Sequence, residues 1–405
     1  MAALTTLFRN PSPVELDLAE AYTRLPRQGQ RERNFEAFAA TGLPTRRVET
    51  WKYSDLRNAL PVSGEGVVEL TTPFSALENP VEIIFDETGV TAPESLPAGL
   101  KLTLVADPRA LGGAEDLPVA ALGAALSANP STVQLEVTGK VEHPLHLVFR
   151  ATGKGHFHRV SVLLREGSEL SVFESHLAGS GFSSCVTEYA LEADAKLERT
   201  MYQSASASAV QVFTAIVNLA ARAQFKQTSL GFGAKLCRNE TRVMHNGAEA
   251  RAELNGAYLI ADGYHYDQTS HVRHSMPDCE TEQLVKGAVK DGGRAVFQGK
   301  FFVARKAQKT AAEMTHNALI LENGGEVNAK PELEIYADDV ECAHGNTVGA
   351  LDDDALFYLR QRGIPEVQAR AMLTQAFIAD ALDGAPESVR ETLLETAHSW
   401  LTDHQ

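Results

Sequence analysis

Short runs in which apolar and polar residues alternate dominate the chain between about residues 131 and 350: TVQLEV, LHLVF, RVSVLL, ELSVFES and VTEYAL. Alternation with period two is the mark of a strand with one buried face. Many of these runs follow a small turn: EGSELSV at 166, ADAKLER at 193, ARAQFKQ at 221, NGAEARAEL at 246, DGGRAVF at 291 and NGGEVNA at 323. The first four recur roughly every 25–28 residues, a solenoid spacing, and the interval from 246 to 291 reads as close to two such steps. The Gly, Asn and Asp of these turns tolerate the positive φ that sharp corners need. No long amphipathic helix interrupts the run, so a doubly wound α/β sheet is not expected. A β-sandwich is the alternative. Turn-plus-strand units that recur without hairpin signals favour a parallel β-helix.

The flanks change period. Residues 1–60 read as helical: Pro13 opens VELDLAEAYTRL, and RERNFEAFAATG stops at Gly42 with Pro44 beyond it. Residues 61–130 are mixed, with strand-like VEIIF and LKLTLV. Residues 131–350 form the β core, and residues 351–405 return to helices. There Asp352, Asp353 and Asp354 supply an N-cap and acidic first turn, DALFYLRQR ends at Gly363, Pro365 opens EVQARAMLTQAFIADAL, and Pro386 opens ESVRETLLETAHSWL. Such a helical unit caps the open end of a solenoid or docks a partner.

Composition narrows the function. The 405 residues are 44% hydrophobic and 22% charged, with a formal net charge of −16. So acidic a surface repels phosphate backbones and anionic lipid, so neither nucleic acid nor membrane is expected as a partner. No apolar run approaches the ~18 residues of a membrane helix. The N-terminus lacks a basic start followed by an apolar stretch, so no secretory signal is expected. The four cysteines, Cys185, Cys237, Cys279 and Cys342, lie far apart, which argues against a disulfide framework and for a reducing cytoplasm. No C-x-x-C pair offers a self-contained zinc or ferredoxin-type site.

Two stretches could carry chemistry. GYHYDQTSHVRHSMPDCETEQ gathers His265, Asp267, His271, His274 and Cys279, either as a transition-metal site or as a polar strand of satisfied histidines. KPELEIYADDVECAHGNTVGALDDD places Cys342 and His344 two apart, on one face of a strand, with Asp338, Asp339 and Glu341 nearby. A thiolate and an imidazole can approach one metal from that face, but two ligands do not complete an iron or zinc site. His156 and His158 read as an isolated H-x-H on an exposed strand, and Trp51 and Tyr53 as packing anchors. No G-x-S-x-G elbow or phosphate-binding G-x-x-x-x-G-K-[ST] is present.

KPELEIYADDVECAHGNTVGALDDDALFYLRQRGI resembles the C-terminal signature of the SufB/SufD family, the core subunits of the SUF iron–sulfur cluster assembly machinery. KGAVKDGGRAVFQGKFFV, ARKAQKTAAEMTHNALIL and LPTRRVETWKYSDL are also similar to that family, and the chain's length, cysteine content and WKYSDL stretch place it on the SufD side. The resemblance implies a mainly β fold, a right-handed parallel β-helix flanked by N- and C-terminal α-helical parts. It implies a non-enzymatic scaffold that pairs through the end of the β-helix with a SufB-like paralogue, in a SufBCD-type complex. Each scaffold carries one SufC-like ABC ATPase on the C-terminal helices, with Phe357, Leu359, Met372 and Phe377 as candidate anchors. Cys342 and His344 match the family's interface motif, as ligands for transient iron or a nascent cluster shared with the partner. His274, Cys279 and Glu341 are further candidates, and Glu341 departs from the basic or polar residue usual at its place. No permanently bound cofactor is expected. A homodimer of the chain alone and a stand-alone metal-dependent β-helix enzyme are the alternatives.

Overall fold

The structure is a computed structural model that describes residues 8, 10–26, 29–61, 71–105, 113–127, 132–153 and 155–404. The limits drawn at 60/61 and 130/131 adjoin stretches 62–70 and 128–131, which lie outside the described residues.

In chain order the helices of the described residues are α1 (Pro13–Thr23), α2 (Gly29–Thr41), α3 (Leu56–Ala59), α4 (Pro118–Leu126), α5 (Asp353–Gln361), α6 (Glu366–Leu382) and α7 (Glu387–Asp403). The strands are β1 (Val81–Asp86), β2 (Gly89–Thr91), β3 (Leu100–Leu104), β4 (Thr132–Val137), β5 (Leu145–Ala151), β6 (Gly155–Leu164), β7 (Glu169–Ala178), β8 (Gly181–Leu191), β9 (Lys196–Ala205) and β10 (Ala209–Leu219). They continue as β11 (Gln224–Gly231), β12 (Leu236–His245), β13 (Arg251–Ile260), β14 (His265–His274), β15 (Glu280–Val289), β16 (Arg294–Val303), β17 (Thr310–Ile320), β18 (Glu326–Ile335) and β19 (Val340–Gly349).

From β4 onward successive strands alternate between two sheets, and each pairs in parallel with the strand two places on. The result is the expected parallel β-solenoid, of about eight turns. One turn advances the chain by 26–32 residues, as the partners Val210↔Leu236 and Arg294↔Glu326 show. One corner carries a ladder of left-handed residues: Gly139, Gly167, Asp194, Arg222, Glu249, Asp278 and Lys309 all have positive φ. The amide of Asp194 donates to the Ala221 carbonyl one turn on, that of Arg222 to Ala248, and that of Glu249 to Pro277. These bonds offset the strain of a β-carbon in that region. The glycine corners at 263, 292 and 324 form the opposite edge. The turn at 291 therefore lies on a different corner from that at 246, and the two are one and a half turns apart, not two.

Alternate side chains fill the lumen, where Val160, Tyr189, Phe213, Tyr258, Tyr266, Phe297 and Met314 are buried. The N-terminal helices cover the outer face of the nine-stranded sheet, where Phe35, Phe38, Trp51 and Leu56 cluster with Phe182, Val210 and Leu236. α1 starts with a capping box between Ser12 and Glu15. The C-terminal helices do not cap the solenoid. α6 and α7 lie against the outer face of the ten-stranded sheet, where Ile378, Leu382 and Leu393 meet Leu230, Leu259 and Ala288. The apolar face of α6 matches a sheet face, and a solenoid end offers only strand edges. At the N-terminal end, β2 and β3 pair antiparallel with β1 and β4 and end the stack. At the other end β19 is mostly exposed and β18 mostly half-buried, with no residue of either strand fully buried, so the last turn is open.

Candidate functional site

β19 holds the open turn. Val340, Cys342, His344, Asn346 and Val348 alternate on one face, and the register with β17 sets Cys342 beside Ala312, His344 beside Met314 and Asn346 beside His316. Ala312, Met314 and His316 are buried lumen residues, so that face of β19 is the mouth of the lumen. Opposite it, Val327, Ala329 and Leu333 of β18 give the mouth an apolar wall. β18 also contains Pro331, which has no amide to donate and is tolerated at a sheet edge.

Cys342 is half-buried against Val303, Ala307 and Ala337, and burial pushes its thiol up, opposed by the Ala312 backbone amide. His344 is exposed. Glu341 is exposed on the alternate face of β19, away from Cys342 and His344. A thiol and an imidazole whose backbone positions lie about 6.5 Å apart along a strand form half a coordination set for iron or zinc. Because the thiol is held protonated, a metal arriving there must displace its proton.

The other expected ligands lie elsewhere. His274 is buried in β14; its Nε2 meets the Thr281 hydroxyl at 2.9 Å, and its ring stacks on His245 at 4.6 Å. Cys279 is a buried core thiol whose Sγ lies 3.4 Å from the Gly247 carbonyl. His265 faces the Ser54 hydroxyl at 3.2 Å, Asp267 pairs with Arg238 at 2.8 Å, and His271 faces Arg242 at 3.1 Å. His265, Asp267, His271 and His274 thus each have a polar partner within the protein, while Nδ1 of His274 and Oε1 of Gln268 are buried without one among the described residues. Among the described residues no three His, Cys, Asp or Glu side chains form a group that could hold a metal ion. His156 and His158 are not exposed: strand alternation turns both into the lumen, and burial lowers His158 to about 3. Isolated histidines carry no sequence mark of which strand face is inside.

Two arrangements escaped the sequence. Glu49–Ser54 runs across four successive strands of the nine-stranded sheet as a strap. Trp51 covers Arg238 of β12, Ser54 donates to Asp267 of β14 at 2.5 Å, the Thr50 carbonyl accepts from Gln298 of β16, and Glu49 pairs with Lys330 of β18. Inside the lumen, Glu174 accepts from Arg199 at 2.6 Å and from Tyr189 at 2.6 Å, and meets His176 at 2.8 Å. Charged residues at inward positions of ELSVFES and KLER were the available signal for the second.

On the C-terminal helices, Phe357 is 64% and Met372 37% exposed, and Leu359 is half-buried. Phe377 packs against the chain's own sheet-facing core with Lys286 4.9 Å from its ring. Tyr358 and Val367 extend the exposed apolar face.

Residues 147–377 match the family model described as SUF system FeS cluster assembly, SufBD core domain. The chain belongs to the SufB/SufD family. It is 30% identical over 387 residues to the iron–sulfur cluster assembly protein SufD of Escherichia coli (strain K12), covering 89% of each chain. It is 28% identical to an iron–sulfur cluster assembly SufBD family protein of Mycobacterium tuberculosis (strain H37Rv), over 71% of this chain and 75% of that one. A chloroplastic protein of Arabidopsis thaliana, ABCI7, is 30% identical over 61% of this chain and 55% of its own length. This member of the family is therefore an iron–sulfur cluster assembly protein of SufD type, on a β-solenoid. No helix among its described residues is long and apolar enough to cross a membrane.

Proposed function

We propose that this chain is a non-enzymatic scaffold subunit of a cytoplasmic SUF complex, paired through its open end with a SufB-like paralogue. It carries a SufC-like ATPase on α5 and the first turns of α6. Iron and sulfide are its cargo, not resident cofactors. The observation that carries this reading is the last solenoid turn: it is uncovered, and it presents Cys342 and His344 at the mouth of the lumen as half a ligand set. A partner strand added to such an edge gains backbone hydrogen bonds and brings further ligands. All four cysteines are free thiols, which fits a reducing compartment.

The geometry also suggests how ATP is coupled. α6 packs on β11, β13 and β15, so a pull on α5 and α6 loads the middle of the ten-stranded sheet, whose edge strand is β19. ATP-driven approach of two docked ATPases would shift the paired open ends between two states.

The test is co-purification of the tagged chain with SufB- and SufC-like proteins, followed by iron and sulfide analysis. A three-component complex that accepts a cluster, weakened by His344→Ala and more so by Cys342→Ala with His344→Ala, is expected. A chain that ignores both partners, or a double variant that assembles clusters normally, refutes it. Tight metal binding with turnover by the isolated chain would establish the stand-alone enzyme instead.

A further inference from the structure

Behind the open turn lies a buried relay. The Tyr258 hydroxyl meets Nε2 of His316 at 2.9 Å, and Nδ1 of His316 meets Oδ1 of Asn346 at 2.7 Å. Tyr258 and His316 are both fully buried. Phe297 stacks on the His316 ring at 4.5 Å with 1° between the planes. A β-carbon at Gly287 would lie 2.0 Å from the Tyr258 ring, so the backbone leaves room for that side chain alone.

The proton positions follow from satisfaction. Tyr258 makes no other hydrogen bond among the described residues, and a buried hydroxyl proton without an acceptor is costly. Tyr258 therefore donates, and Nε2 accepts. His316 is neutral, since burial lowers it to about 4, so its one ring proton sits on Nδ1 and is donated to Asn346 Oδ1. That fixes the amide: the carbonyl end points inward and the NH2 end points out of the mouth. This NH2 has no partner among the described residues. It stands on the same strand face as His344, two residues on.

We propose that Asn346 is a further residue of the open-end site, whose amide donates a hydrogen bond to an anionic sulfur, sulfide or thiolate, held at Cys342 and His344. Tyr258 and His316 are its positioning residues. The inference rests on the scaffold reading above. Donors aimed at cluster sulfurs stabilise added negative charge, so they raise the reduction potential and strengthen retention.

The test uses the whole complex, loaded with iron and sulfide, with Asn346→Leu, Asn346→Asp and Tyr258→Phe. Asn346 is exposed, so its variants keep the fold, and urea unfolding of each variant checks this. Expected are a lower reduction potential and altered Fe–S stretching frequencies in all three, with cluster retention down about tenfold for Asn346→Leu and further for Asn346→Asp. Tyr258→Phe, far from the mouth, separates positioning from contact, since it acts only by freeing the amide to rotate. Unchanged potential and frequencies in Asn346→Leu, in a complex that loses its cluster on Cys342→Ala with His344→Ala, overturn this inference and leave the scaffold reading standing. A cluster that survives the Cys342 and His344 substitutions overturns both.

Discussion

The guanidinium of Arg238 lies under the indole of Trp51, its Cζ 4.2 Å from the ring centroid. Below, the same guanidinium holds Asp267 at 2.8 Å and Glu240 at 3.0 Å. Burial would raise Glu240, yet Arg238 and Arg242 hold it at about 2. Trp51 thus closes a charge network that would otherwise face water, and its strap continues through Lys330 to β18, the strand beside the open mouth.

Trp51→Ala is expected to lower stability by about 3–5 kcal/mol, from lost packing and from wetting of the network. Arg238→Met should cost a similar ~3–5 kcal/mol, because it leaves the buried Asp267 carboxylate without a counter-charge and Glu240 with Arg242 alone. Urea unfolding measures both; a loss under about 1 kcal/mol for either would mean that the strap only rests on the sheet. Hydrogen exchange adds a spatial readout. Protection should fall at β14, β16 and β18, which the strap crosses, and remain at β5 and β7.

The exposed face of α5 and α6 separates two kinds of apolar residue. Phe357→Ser and Met372→Ser should leave urea stability within about 0.5 kcal/mol, as exposed substitutions do, and should abolish recovery of the ATPase in co-purification. Phe377→Ala should instead destabilise the chain by about 2–4 kcal/mol, since its ring is part of the sheet–helix core. Equal loss of the ATPase with Phe357 and Met372 intact would move the docking surface elsewhere.

The strands and helices were legible because their periods are: VEIIF, LKLTLV and EVQARAMLTQAFIADAL became β1, β3 and α6. The corner count failed at 291 because NGA at 246 and DGG at 291 read alike in sequence, although the positive φ falls on Glu249 at one corner and on Gly292 at the other. The placement of α6 and α7 was not legible, since an amphipathic stripe says what is buried but not against what. Cys342 and His344 could be paired by spacing and resemblance, whereas their position at an open mouth depends on which turn is last. Pro331 carried that information, as an amide missing from an edge strand. Asn346 had no signal: its role depends on His316, 30 residues away in the chain, and on Tyr258, a further 58 residues from that histidine.

Buried histidines make the fold acid-sensitive. Burial lowers His146, His265, His274 and His316 to about 4 and His158 to about 3, against 6.5 when exposed. In the unfolded chain they take up protons as pH falls below about 6.5, while the folded chain resists until about 4. The folded state binds fewer protons in that window, so stability is fully present above pH 6.5 and falls as pH drops toward 4. Each proton contributes a slope of about 1.4 kcal/mol per pH unit. The urea midpoint at pH 5 should lie well below that at pH 7.5, and His274→Gln should flatten the dependence. A midpoint independent of pH over this range would show that these rings are hydrated.

Glu174 and Arg199 form an ion pair inside the lumen, with both side chains about fully buried and bonds of 2.6 and 2.7 Å. Burial alone would raise the carboxyl, but Arg199, with His176 adding a hydrogen bond, holds it well below the usual range. Arg199 gives its remaining amine to Gln227 at 2.6 Å, linking β7, β9 and β11 across three turns. Removing one partner leaves the other charge stranded, so Glu174→Gln and Arg199→Met should each cost about 3–5 kcal/mol. The double variant strands neither charge, and the carbonyl of its substituted amide can still receive the Tyr189 hydroxyl. It should therefore be no less stable than the worse single variant, with a coupling energy of about 2–3 kcal/mol. Simple additivity in urea unfolding would mean that water reaches the pair and shares its charge, and the lumen would then be a wet channel instead of a packed core.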